Sequence, residues 1–267
     1  MSENAGWPLG HLPLDQPLDY RKELRRLRLD PLAAFIAERG GDRRFSHVFQ
    51  DTTSRYEETF DCYYHSLKRF LPEQSLARRW LDGPYYKRKH GSRYTLAEQQ
   101  LATRFNAIAP FLYLDFYNCL IWARILLDRM IALSRYFLTE KNVPSFYSFA
   151  DHRRFFQRLQ TPYGTHEEYA DYIRRNTSWF DQPLKHIRDL YLVHSSPPHS
   201  RIFGHPVRGG ELSLIVHPTP VSPEKPPVII SVSRLSHEIY TFQRWFGQYA
   251  LRSVRAPEKR ANRLDRT

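Results

Sequence analysis

Apolar residues recur at helical spacing along most of the chain. The clearest stripe lies between Trp179 and His194, where Phe180, Leu184, Ile187 and Tyr191 fall four, three and four residues apart and predict an amphipathic helix. Ser178 is placed to cap it, and Asp181 lies in its first turn. Pro197-Pro198 push Ser196 out of helical conformations, so the helix ends near His194. Upstream, Asp30-Pro31 opens a short helix carrying Leu32, Phe35 and Ile36, which stops at Gly40-Gly41. A second helix is predicted over 54–71 with Tyr56, Phe60, Tyr63, Tyr64, Leu67 and Phe70 on its apolar face, where Tyr63 and Tyr64 read as packing residues. A separate short helix over 74–81 ends at Gly83-Pro84.

Thr95 and Glu98 have the spacing of a capping box and open a long helical region that Pro110 kinks or divides. From Phe111 to about Phe137 this region is apolar around most of its circumference, so neighbours on several sides, or a second subunit, must cover it. Arg124 and Asp128, at i and i+4, read as a helix-surface pair. Further helices follow over 146–159 and 165–175. Then the texture changes: 211–217 and 227–232 are strand-like and flank the Pro-rich stretch 218–226, which predicts a β-hairpin with a long loop. Ser233 is placed to cap a final helix striped by Leu235, Ile239, Phe242, Trp245, Phe246 and Tyr249, expected beside the Trp179–His194 helix. The fold class is therefore all-α, a helical bundle with a small β-hairpin inserted before the last helix. Its expected organisation is a basic N-terminal arm (1–30), a helical extension (31–94), a main helical domain (95–252) and a flexible basic C-terminal tail (253–267).

At 267 residues, 41% hydrophobic and 15% aromatic, the chain has the material for a packed core. Its most apolar window, 111–133, is interrupted by Asp115, Arg124, Asp128 and Arg129, which excludes a lipid-spanning helix. The two cysteines, Cys62 and Cys119, lack metal-ligand spacing and suit a reducing compartment. Residues 1–10 carry no signal-peptide pattern, and a cytoplasmic location is expected. The formal charge is +12 and is dominated by arginine, whose planar guanidinium grips phosphate in bidentate geometry. This points to a nucleic-acid partner. Between Tyr85 and Tyr94 basic and aromatic residues alternate in a predicted loop, a pattern that suits single-stranded nucleic acid but reads first as a solvated basic loop. Neither a glycine-rich phosphate loop, a His-Glu-x-x-His pair nor a Gly-x-Ser-x-Gly elbow occurs. His65, His199, His205 and His217 have no carboxylate or cysteine partners at ligand spacing, so no metal and no cofactor is expected.

Candidate chemistry gathers at the end of the 179–194 helix. Arg188 precedes His194 by six residues, about 240° around and about 9 Å along a helix, so the two flank one helix end as a fixed cation and a titratable group. The unpaired carbonyls and the dipole at that end favour the imidazolium form. Asp189 stands beside Arg188 as an orienting carboxylate. The pattern Arg188-Asp189-x4-His194, late in a helix and followed by another amphipathic helix, resembles the HEPN (higher eukaryotes and prokaryotes nucleotide-binding) superfamily. The resemblance spans roughly residues 95–252. It implies a HEPN-like bundle and a metal-independent endoribonuclease of the toxin or antiviral-defence kind, with Arg188, Asp189 and His194 catalytic. It also implies a homodimer that joins two such motifs in one cleft and a regulatory or antitoxin protein as partner. Lys185, His199 and Arg201 are expected to hold RNA phosphates beside the cleft. Two other readings stay open: a non-catalytic HEPN-like module binding a nucleotide, RNA or protein, and an all-helical scaffold whose basic tail docks an acidic partner.

Overall fold

The computed structural model describes residues 32–40, 46–85, 87, 92–138, 143–158, 166–181, 184, 205–206, 212–216 and 228–264. Within them the chain is helical in character: α1 (Ala33–Gly40), α2 (Ser46–Trp80), α3 (Leu96–Ala132), α4 (Phe149–Arg158), α5 (Glu167–Asn176) and α6 (Val232–Leu264). Short backbone strands β1 (His205–Pro206), β2 (Leu212–Val216) and β3 (Val228–Ile230) form an antiparallel sheet in the order β1-β2-β3, with Ile215 opposite Ile229. The chain divides into two compact units, one built on Tyr63–Trp122 and Trp179–Ser236, the other on Leu27–Cys62, Ala123–Ser178 and His237–Thr267. No helix among the described residues is long and apolar enough to cross a membrane.

The helices start where polar side chains can satisfy their first N–H groups. Thr95 and Glu98 form the full capping box: the Thr95 N–H donates to Glu98 Oε2 at 2.7 Å and the Glu98 N–H to Thr95 Oγ1 at 3.3 Å. Ser148 caps α4 by accepting the Asp151 N–H at 3.1 Å. At α6 the cap is Ser231, whose Oγ accepts the Arg234 N–H at 3.1 Å, and not Ser233, which is buried inside the first turn.

The break expected between two helices near residue 72 does not occur. Helix α2 runs through Pro72, although a proline inside a helix forfeits one hydrogen bond and costs about 3 kcal/mol. The reason is the stripe Leu67, Leu71, Gln74, Ala77 and Trp80, which is buried and keeps its helical spacing across the proline. Helix α3 likewise continues through Pro110.

The expected surface pair Arg124–Asp128 is in fact a largely buried one. Arg124 Nε stands 3.3 Å from Asp128 Oδ2, with the Arg side chain 5% exposed, and Asp128 Oδ1 accepts the Phe149 N–H at 2.7 Å. An i, i+4 spacing reports proximity along a helix and not the face it lies on. Much of the flexible tail expected over 253–267 is instead helical: α6 continues to Leu264, with Arg252 paired to Glu168 at 2.8 Å and Arg255 paired to Glu38. That partnership holds the Glu38 carboxyl below its usual range.

In the second unit, α3 ends in a 3-10 turn, Leu133–Tyr136, that delivers Phe137 into an aromatic core. The Phe137 ring meets Phe246 at 5.1 Å, Phe35 at 5.8 Å, Tyr169 at 5.9 Å and Tyr249 at 6.0 Å. Arg39 closes the turn by donating to the Tyr136 carbonyl at 2.7 Å.

Helix α3 is not covered all round by the described residues. Phe111, Leu114 and Ile121 are 52%, 53% and 36% exposed. On a helical projection they fall within roughly 80°, on the side opposite buried Leu112, Phe116, Leu120, Ala123 and Leu127.

Because Phe137 packs against four rings, three of them edge-on, Phe137→Ala is expected to lower unfolding free energy by about 3–5 kcal/mol. Equilibrium urea unfolding followed by circular dichroism measures this.

Candidate functional site

Lys185, Arg188, Asp189, His194, His199 and Arg201, the residues singled out from the sequence, all lie outside the described residues. What leads toward them is defined. Thr177, buried after α5, donates its hydroxyl to the Ile173 carbonyl at 2.6 Å and accepts from buried Arg153 Nε at 2.7 Å. The expected helix opens with a 3-10 turn at Ser178–Phe180, and Asp181 and Leu184 are in a wider π-type turn. Phe180 and Leu184, the first two residues of the predicted stripe, are both buried.

The described residues hold a second constellation that no spacing in the sequence announces. On α2, Arg69 and Glu73 are i, i+4 neighbours; on α3, Asp115 and Cys119 are another such pair. Arg69 Nη2 reaches Asp115 Oδ2 at 3.1 Å, and the Asp115 side chain is only 1% exposed. Glu73 lies against the same carboxylate. Burial first, then the Asp115 charge and a hydrogen bond shared with Asp115, push the Glu73 carboxyl up to about 7, with Arg69 pulling the other way. Glu73 and Asp115 therefore lie together beside a fixed cation, with the Glu73 carboxyl raised toward neutrality, the kind of group that can give or take a proton there.

The groups around the pair are kept neutral. Burial, reinforced by Asp115 and Glu73, raises the Cys119 thiol far above its ordinary value, so it does not serve as a thiolate nucleophile. Tyr63, fully buried with Ser236 beside it, is likewise raised, chiefly by desolvation. In the other unit His152 has lost the behaviour of a general base: burial and then Arg153 push it down to about 3, and its Nε2 is 2.8 Å from the Tyr169 hydroxyl. It sits among Phe146, Phe149 and Phe156 as a neutral core residue. Among the described residues no three His, Cys, Asp or Glu side chains gather closely enough to hold a metal ion.

The Glu73 proton links stability to pH. A carboxyl raised from 4.5 in the unfolded chain to about 7 in the folded one stabilises the fold fully below 4.5, and that contribution is lost as pH rises through about 7. The melting temperature is expected to fall between these two values, and Glu73→Gln, which keeps a hydrogen-bond donor toward Asp115 without titrating, to flatten the decline. Thermal melts in a pH series measure both.

Compared with protein-family models, with curated proteins and with solved structures, the chain matches none.

Proposed function

We propose that the protein is a metal-independent endoribonuclease whose site is Arg188-Asp189-x4-His194, and that it acts as a toxin or antiviral-defence effector. The observation that carries this reading is the motif itself: an arginine and a histidine six residues apart at the predicted end of a helix, in a helical chain of net charge +12. RNA transesterification needs a base for the 2′-hydroxyl, an acid for the departing 5′ oxygen and positive charge at the pentacoordinate phosphate. One chain offers a single motif histidine. A two-fold dimer with facing motif helices offers two, one neutral and one protonated, together with two arginines for the phosphate. Asp189 orients Arg188, and Lys185, His199 and Arg201 hold flanking phosphates. The small β-hairpin before α6 is an ornament on a HEPN-like bundle.

The apolar face of α3 supports self-association. Phe111, Leu114 and Ile121 offer a row of large side chains on one side of a helix whose other side is buried. Such rows mark protein interfaces, and a two-fold axis lets one row meet its own copy.

The unmodified protein is expected to cleave a mixed RNA pool in EDTA, to leave 2′,3′-cyclic phosphate ends and to show a rate optimum near neutral pH. His194→Ala abolishes cleavage while RNA affinity stays close to that of the unmodified chain. Arg188→Lys recovers little of what Arg188→Ala loses, because an ammonium keeps the charge without the bidentate grip. Full activity of His194→Ala, or strict dependence on a divalent ion, overturns the mechanism and favours a binding module.

Light scattering at micromolar concentration tests the assembly. The unmodified chain should have the mass of a dimer, and Leu114→Asp with Ile121→Asp that of a monomer with a tenfold or greater loss of cleavage rate. A monomeric unmodified chain removes the composite site.

A further inference from the structure

The first unit carries a second feature with its own chemistry, at the end of α2 and the start of α3. Trp80, the last residue of α2, is surrounded by rings: Tyr94 at 5.5 Å, Tyr85 at 6.3 Å and Phe105 at 6.3 Å, the last nearly parallel to it. Trp80 itself is buried, but Tyr85 is 56% exposed, so the cluster has a foundation and an open face. The foundation is fixed by hydrogen bonds. Gln99 Nε2 donates to the Tyr94 carbonyl at 3.0 Å, and the adjacent Thr95–Glu98 box ties that segment to the first turn of α3.

Exposed cations flank the rings in sequence: Lys87 follows Tyr85 by two residues, Arg93 precedes Tyr94, and Arg104 precedes Phe105. Residues 78–104 hold seven Lys or Arg (78, 79, 87, 88, 89, 93, 104) against two acidic residues, Asp82 and Glu98. The carboxylate of Glu98 already accepts both the Thr95 N–H and its hydroxyl. The sequence that carries the aromatic platform is thus strongly basic.

We propose that this cluster is a docking surface for single-stranded RNA, distinct from the Arg188–His194 motif, on which a base stacks against Tyr85 while Lys87, Arg93 and Arg104 face the phosphates. Aromatic rings recognise unpaired bases through their faces without selecting sequence, and the surrounding cations supply the salt-dependent part of the affinity. A double helix hides its base faces, so it gains only the second contribution. An acidic protein would use the cations and leave the ring idle. The choice of RNA as the occupant rests on the ribonuclease reading; the stacking geometry does not.

The test is fluorescence anisotropy of a labelled single-stranded oligoribonucleotide in EDTA, titrated with His194→Ala protein so that nothing is cut. Tyr85→Ala is expected to weaken binding roughly tenfold or more, and Tyr85→Phe to restore it, since the ring and not the hydroxyl does the stacking. Arg93→Gln with Arg104→Gln is expected to reduce the slope of log affinity against log salt by about 1.4, or about 0.7 for each phosphate that is no longer neutralised. Both arginine side chains are exposed, so this arm remains decisive even where the Tyr85 change disturbs packing. Unaltered binding by Tyr85→Ala, an unaltered salt slope, equal affinity for a duplex of the same sequence, or no binding of RNA at all overturns the proposal. Binding that depends on Tyr85 in a protein that never cleaves RNA keeps this surface and removes the ribonuclease; cleavage that needs His194 and ignores Tyr85 does the reverse.

Discussion

Phe137 is the residue on which the second unit closes. It follows the 3-10 turn at the end of α3 and presents its ring to Phe35 from α1, Tyr169 from α5, and Phe246 and Tyr249 from α6. Elements separated by up to 214 residues of sequence, from Phe35 to Tyr249, therefore share one ring. Edge-to-face packing of this kind adds about 0.5–1.5 kcal/mol per pair beyond the area buried, and it constrains angle as well as distance. Nearby polar groups are arranged to suit. Asp128 satisfies the first N–H of α4 while pairing with Arg124, and Arg153 and Thr177 bond to each other where α5 ends. A buried charge is tolerable in such a place when it is paired or hydrogen-bonded, and Asp128 is both, through Arg124 and the Phe149 N–H.

The same balance explains why the prolines do not punctuate this chain. Pro72 and Pro110 each remove one backbone donor from a long helix, yet α2 and α3 run on. A helix in a folded protein owes most of its stability to its packed face, and a stripe of five buried side chains across Pro72 outweighs one missing hydrogen bond. Where the packed face gives out, as at Gly83-Pro84 after Trp80, the α-helix gives way to a π-type turn.

Two kinds of polar chemistry coexist in the chain. The motif residues Arg188 and His194 belong to a stretch of arginine, histidine and proline, whereas the Glu73–Asp115 pair is an acidic island in a basic protein, with Arg69 beside it. The island's proton is held by desolvation and by a neighbouring negative charge, both consequences of two helices meeting. The catalytic proposal asks for neither. It depends on a histidine at a helix end and on a second copy of the chain, so the two sites answer to different experiments.

Local signals in the sequence determined the helical character, the capping box at Thr95 and Glu98, the break of the α-helix by Gly83-Pro84 and the buried stripe of α6. All of these depend on residues within a few positions of one another, and helical geometry makes such neighbours interact in any context. The Arg188–His194 spacing on which the catalytic proposal rests is likewise a local pattern along one segment. Tertiary structure alone decided which i, i+4 pair is buried: Arg124–Asp128 reads like any surface pair until Phe149, 21 residues on, arrives to take a hydrogen bond. It alone carried α2 through Pro72 and extended α6 past Arg252, where Glu168 and Glu38 come from distant segments to meet the arginines. It alone brought Glu73 to Asp115, 42 positions away, because proximity across helices and exclusion of water arise only when the chain has packed.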